Sequence, residues 1–130
     1  MQTDFFELLQ IPRSFEVDSK LLNDNYFRLQ REYHPDKTHD NGAKSALLND
    51  AYKTLKNPLK RAEYMVGKDL KACPALLLEI MEYRENGDVA AAQKEVTELY
   101  QKFSTANDSD RKEIFVKIKY LTKFIEDSEI

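Results

Sequence analysis

An all-α protein in two small helical parts is the fold class that this sequence predicts. Three of its 130 residues are glycine and none is tryptophan. No stretch alternates Val, Ile or Thr with polar residues as a half-buried strand does, and apolar residues recur at spacings of three and four. The expected architecture is a helical hairpin with short flanking helices in residues 1–67, a linker in 68–73, and a three-helix bundle in 74–130.

Taken in chain order, Asp4-Phe5-Phe6-Glu7-Leu8-Leu9 predicts a short helix that Pro12 prevents from continuing. Asp18 can cap a longer helix by accepting from free backbone N–H groups. Leu22, Tyr26, Leu29 and Tyr33 then fall within one stripe, with Lys20, Asp24, Arg28 and Arg31 opposite. Pro35 biases His34 away from helical geometry, so this helix ends at Tyr33 or His34. After a loop from Lys37 to Gly42, a third helix runs from about Ala43 to Lys56 with Leu48, Tyr52 and Leu55 on one side. Pro58 opens a short fourth helix that reaches Val66 and that Gly67 can terminate.

Beyond the stretch GKDLKAC come helical segments Pro74 to Asn86, Asp88 to Phe103 and Asp108 to about Asp127. They are separated by ENGD and TANDSD, both rich in turn and cap residues, and three helices so connected form an antiparallel bundle. Leu76, Ile80 and Tyr83 of the first, Val89, Val96, Leu99 and Phe103 of the second, and Ile114, Ile118, Leu121 and Ile125 of the third are the expected core. Leu77 and Met81 lie on another side of the first helix, and Val116 and Tyr120 fall well away from the core stripe of the third. Such second faces mean either a wide core, scattered surface apolars or a partner site.

Composition bounds the function. At 42% hydrophobic residues, the chain can bury one modest core or two small ones. No apolar run approaches the roughly 18 residues that cross a bilayer, and no basic start leads into an apolar core and cleavage site, so a soluble cytoplasmic protein is expected. The single cysteine, Cys73, excludes an internal disulfide and any multi-cysteine metal or cluster site built by this chain alone. Residues 1–73 carry 12 basic against 11 acidic residues and residues 74–130 carry 8 against 12. Neither half has the charge of a nucleic-acid surface.

Both histidines lie in REYHPDKTHD, residues 31–40. One alternative is a metal-dependent hydrolase in which His34, Asp36 and His39, with Asp40, collect a divalent ion that activates water. Against it, every candidate sits in one loop, no further histidine exists, and no phosphate cradle or paired nucleophile is found. A second alternative is an ordinary polar loop. The third is a rigid recognition tip: Pro35 fixes its own φ, Asp36 presents an acceptor suited to an arginine fork, and His34 supplies a donor at a helix end.

The set Leu22, Tyr26, Leu29, Tyr33-His34-Pro35-Asp36-Lys37, then Leu48-Asn49-Asp50-Ala51-Tyr52 with Leu55, then Pro58, Arg61 and Tyr64 resembles a J-domain. Co-chaperones use that module to stimulate ATP hydrolysis by DnaK-class chaperones. The resemblance implies that His34, Pro35 and Asp36 form the stimulating signature and that Arg28, Arg31 and Lys37 meet the acidic face of the ATPase. Phe5-Phe6-Glu7-Leu8-Leu9, Ile11-Pro12, Val17-Asp18, Phe27-Arg28-Leu29-Gln30-Arg31 and Tyr64-Met65 are further similar to the HscB family of iron–sulfur cluster assembly.

That likeness implies an L-shaped monomer whose bundle binds the scaffold protein IscU and whose J-domain engages the chaperone HscA. Leu77, Leu78, Met81, Glu82 and Glu85 are similar to the scaffold-binding stretch, and Lys119-Tyr120 to a basic-aromatic pair that joins it. Leu77, Met81 and Tyr120 are the implied anchors and Glu82, Glu85 and Lys119 the polar rim. No catalytic residue, metal or cofactor is expected in this chain, since nucleotide, metal and cluster belong to the partners. A general J-protein with other clients remains the nearest alternative.

Overall fold

The computed structural model describes residues 4–39 and 42–129, and every regular element among them is an α-helix. The chain divides into two compact units, one as far as Arg61 and the other from Ala62.

In the first unit, α1 (Phe5–Leu8) is capped by Asp4, whose carboxylate accepts the Phe6 N–H at 3.1 Å. It ends at Leu8, whose carbonyl Pro12 has no N–H to meet. Gln10 turns into the left-handed region at φ 57°, the Ile11 N–H donates to the Phe6 carbonyl, and the Gln10 N–H donates to that of Glu7. These bonds, with that from the Leu9 N–H to the Phe5 carbonyl, satisfy the carbonyls of Phe5, Phe6 and Glu7 before the proline is reached. The Asn25 side-chain amide completes it by donating to the carbonyls of Leu9 and Gln10 at 2.9 and 3.1 Å.

α2 (Ser19–Glu32) starts at Asp18, which accepts from the N–H groups of Lys20 and Leu21, and ends with Tyr33 as its C-cap. Leu22 and Leu29 are buried, while Tyr26 and Tyr33 form the half-buried edge of the predicted stripe. The expected loop after His34 contains a single helical turn, α3 (Pro35–Thr38). Proline's fixed φ and missing N–H suit the first position of a helix, so the residue that ends α2 also starts α3.

α4 (Ala43–Lys56) begins at Gly42, in the left-handed region at φ 81°, and buries Leu48, Ala51 and Leu55. It packs against both α2 and α1, which brings Phe6 and Leu9 into the same core. Ile11 and Phe15 are also buried, from a segment whose irregular path hides them from any helical periodicity. α5 (Pro58–Val66) is capped by Asn57, whose side-chain oxygen accepts from Leu59 and Lys60, and it ends at Gly67.

The second unit begins within α5, at Ala62, and holds α6 (Pro74–Asn86), α7 (Val89–Thr105) and α8 (Asp108–Ser128). Gly87, at φ 64°, closes α6 by donating to the Tyr83 carbonyl at 2.9 Å. Asp88 and Asn107 cap the next two helices through their side-chain oxygens. The Arg111 guanidinium donates to the carbonyls of Phe103 and Ser104, satisfying the end of α7 from the start of α8.

Of the predicted α8 stripe, Ile118 and Leu121 are fully buried but Ile114 and Ile125 only half so, whereas Phe115, Val116 and Phe124 are buried too. The expectation that Val116 lies outside the core is therefore wrong: it is 5% exposed. α8 packs on α7 and on α6, so its buried arc is far wider than the stripe that one neighbour would demand. In α7, Leu99 and Phe103 are buried as expected, joined by Ala92, while Val89 and Val96 are half-buried.

Candidate functional site

Two surfaces carry the residues singled out in the sequence, one in each unit. In the first, the chain leaves α2 at Tyr33, whose N–H donates to the Leu29 carbonyl, and turns through His34 into α3. The Lys37 N–H donates to the His34 carbonyl at 2.8 Å, and the Asp36 N–H donates to His34 Nδ1 at 3.2 Å. An accepting Nδ1 places the proton of the neutral ring on Nε2. Asp36 Oδ2 also lies 3.5 Å from Nδ1. The Asp36 side chain is 89% exposed and that of His34 59%. The turn is thus a local hydrogen-bonded knot with its acceptor held out in solvent.

Arg31 and Lys37 are exposed beside this turn. Arg28 is half-buried and committed within the chain, donating to Glu32 Oε1 at 3.2 Å and to Gln10 Oε1 at 2.5 Å. Of the metal set, His34 and Asp36 are neighbours and His39 is exposed in the left-handed region at φ 56°. Asp40 lies outside the described residues. Among the described residues no group of three His, Cys, Asp or Glu is placed to hold a metal ion.

In the second unit α6 buries Ile80 and leaves Leu77, Leu78 and Met81 43%, 62% and 54% exposed. Glu82, Glu85 and Lys119 are exposed and Tyr120 is half-buried. Contacts between α6 and α8 fix how these residues relate. Glu79 pairs with Lys117 at 2.9 Å and Arg84 with Asp127 at 3.3 Å, so the two helices run parallel. Arg84 lies two turns beyond Leu77 on one line of α6, and Asp127 two turns beyond Tyr120 on one line of α8. The ion pair that joins Arg84 to Asp127 therefore marks the seam along which Leu77 and Tyr120 lie, about 10 Å back. Lys119 sits about 100° round α8 from Tyr120, and Glu82, about 140° round α6 from Leu77, is the residue of the set least aligned with that seam.

On the other side of α6 lies a cluster that sequence reasoning did not find. Lys117 bridges Glu79 and, at 2.6 Å, Glu95 of α7, and the Tyr83 hydroxyl donates to the same Glu95 carboxylate. All three helices meet there. The hydrogen bond to Glu95, with burial and the Glu95 charge, pushes the Tyr83 hydroxyl up to about 12. Burial works to raise Glu95, but hydrogen bonds from Lys117 and Tyr83 hold it below the usual carboxylate range. Burial likewise pulls Lys117 down, and its bonds to Glu95 and Glu79 more than reverse this.

A helical hairpin with HPD at its turn, joined to a separate helical bundle, defines the class: a J-domain co-chaperone. The DnaJ domain as a family matches residues 4–64. The chain belongs to the HscB family of co-chaperones. It is 35% identical to the co-chaperone protein HscB homolog of Shewanella baltica, over 78% of this chain and 70% of that one. It is 34% identical to the iron–sulfur cluster co-chaperone protein HscB of Mus musculus, over 95% of this chain and 66% of the relative. The chain thus spans about two thirds of the length of these curated relatives. Among solved structures it is similar to the chaperone HscB from Vibrio cholerae, with a TM-score of 0.76 at 27% identity over 98% of this chain and 96% of that one. The crystal structure of human co-chaperone protein HscB gives 0.77 at 31% identity, over 98% and 81%.

Proposed function

We propose that this chain is an iron–sulfur cluster co-chaperone that stimulates the ATPase of an HscA-type, DnaK-class chaperone and delivers an IscU-type scaffold protein to it. Residues 1–67 act as the J-domain, with His34, Pro35 and Asp36 as the trigger and Arg31 and Lys37, with Arg28 behind them, as its basic flank. Residues 74–130 act as the cargo-binding part, with Leu77, Leu78, Met81 and Tyr120 as apolar contacts and Glu82, Glu85 and Lys119 around them. The chain works as a cytoplasmic monomer and performs no chemistry of its own. Its contribution is linkage: holding scaffold and ATPase together raises the effective concentration of cargo at the chaperone.

The observation that carries this reading is the exposure of three large apolar side chains, Leu77, Leu78 and Met81, on a helix whose opposite side is core. Exposed apolar groups gathered on one helix mark an interaction surface rather than a packing need. Calorimetric titration of an IscU-type scaffold into the full chain tests it. The double variant Leu77→Ala/Met81→Ala loses most of the binding heat and keeps its stimulation of the chaperone ATPase. Unchanged scaffold binding by that variant removes the proposed cargo site, whereas no binding by the wild-type chain favours a J-protein with other clients.

A further inference from the structure

One edge of the hairpin formed by α2 and α4 is polar where the rest is apolar. Asn23, Tyr26 and Gln30 follow one another at i, i+3 and i+7 along α2, and Tyr52, Asn49 and Ser45 descend α4 at the mirrored spacing. Each meets its opposite number. The Tyr52 hydroxyl donates to Asn23 Oδ1 at 2.6 Å, and the Tyr26 hydroxyl to Asn49 Oδ1 at 3.1 Å. Ser45 Oγ donates to Gln30 Oε1 at 2.5 Å, while Gln30 Nε2 donates to the Ser45 carbonyl at 3.0 Å. Tyr26 and Tyr52 stack between the outer pairs, 4.0 Å apart and 6° from coplanar. Only one antiparallel register satisfies all three pairs, whereas apolar packing alone tolerates sliding and tilting because it has no direction.

The pair nearest the turn has a particular position. Leu29 and Leu48 are the last buried residues before it, and between them and His34 no described side chain is buried. There the hairpin is held by the Gln30–Ser45 pair and by Lys44 over the Tyr33 ring at 5.0 Å. Gln30 lies one helical turn before His34. We propose that Gln30 is the positioning residue of the HPD trigger, acting through Ser45 to fix the angle at which α2 presents His34 and Asp36 to the chaperone. The inference rests on the J-domain reading and adds a residue that touches neither the chaperone nor the HPD side chains.

Its test is the steady-state ATPase of a purified HscA-type chaperone titrated with the full chain, which separates maximal stimulation from the half-saturating concentration. Gln30→Ala lowers the maximum about fivefold or more and leaves the half-saturating concentration within about twofold, as misorientation without loss of contact predicts. Asn23→Ala removes an equivalent bond at the far end of the edge and keeps the wild-type maximum. Ser45→Thr retains the hydroxyl and carbonyl and also keeps it. Should Gln30→Ala melt before the assay temperature, Gln30→Glu serves in its place: it loses the Nε2 donor but keeps an acceptor, and it gives a partial loss. A wild-type maximum for the Gln30 variants, or an equal loss from Asn23→Ala, overturns the proposal. Failure of the wild-type chain to stimulate at all, or stimulation by His34→Gln, overturns instead the J-domain reading beneath it.

Discussion

His34 is held in place by chain-local bonds rather than by burial. Its Nδ1 takes the Asp36 N–H, and its carbonyl takes that of Lys37. A side chain anchored this way keeps its orientation while staying open to a protein that arrives from outside, which is what the trigger proposed above needs. The apolar residues of α6 can be sorted by the same logic. Leu77 and Met81 are about half exposed, so Leu77→Ala or Met81→Ala each costs about 1–2 kcal/mol of scaffold binding and little stability. Ile118 is fully buried, and Ile118→Ala lowers the free energy of unfolding by roughly 2–5 kcal/mol in a denaturant titration. Equal destabilisation by Leu77→Ala and Ile118→Ala makes the α6 face core and removes the cargo site.

At the scale of elements, α6 is joined to the bundle by charge as well as by apolar contact. The carboxylate of Glu95 is held low, so the stability it contributes is present above the ordinary carboxylate range and is lost as pH falls through its folded value. Tyr83 and Lys117 are both raised, so their contributions are present below their ordinary values and are lost as pH climbs through the folded ones, for Tyr83 between 10 and about 12. The opening free energy of the α6 amides, taken from hydrogen exchange after correction for the intrinsic pH dependence of the exchange rate, is therefore highest between these acid and alkaline limits, and Lys117→Met flattens the profile at its acid end. An unchanged profile in Lys117→Met shows that the cluster does not hold α6.

The helices themselves were legible in the sequence: α4, α5 and α6 begin and end where periodicity, Pro58, Pro74, Gly67 and Gly87 place them. So was the class, because HPD between two amphipathic helices is a local pattern. The Lys117 cluster and the Gln30–Ser45 pair were not legible, since each joins residues distant in sequence whose polar character reads as ordinary surface until their neighbours are known. Val116 was misplaced for a related reason: periodicity gives the direction of one neighbour, and α8 has two. The single turn α3 fell inside a stretch too short for any period.

For the whole molecule, the two surfaces belong to different compact units of one chain, so loss of one leaves the other intact while the delivery proposed above requires both. A tip that triggers and a helix face that holds, with no shared residue, is the central claim. ATP turnover by an HscA-type chaperone, titrated with the wild-type chain and with His34→Gln and read beside scaffold binding by the same samples, tests it most directly. His34→Gln abolishes the rise in turnover and binds scaffold as the wild type does. Stimulation retained by His34→Gln, or scaffold binding lost along with it, contradicts the account.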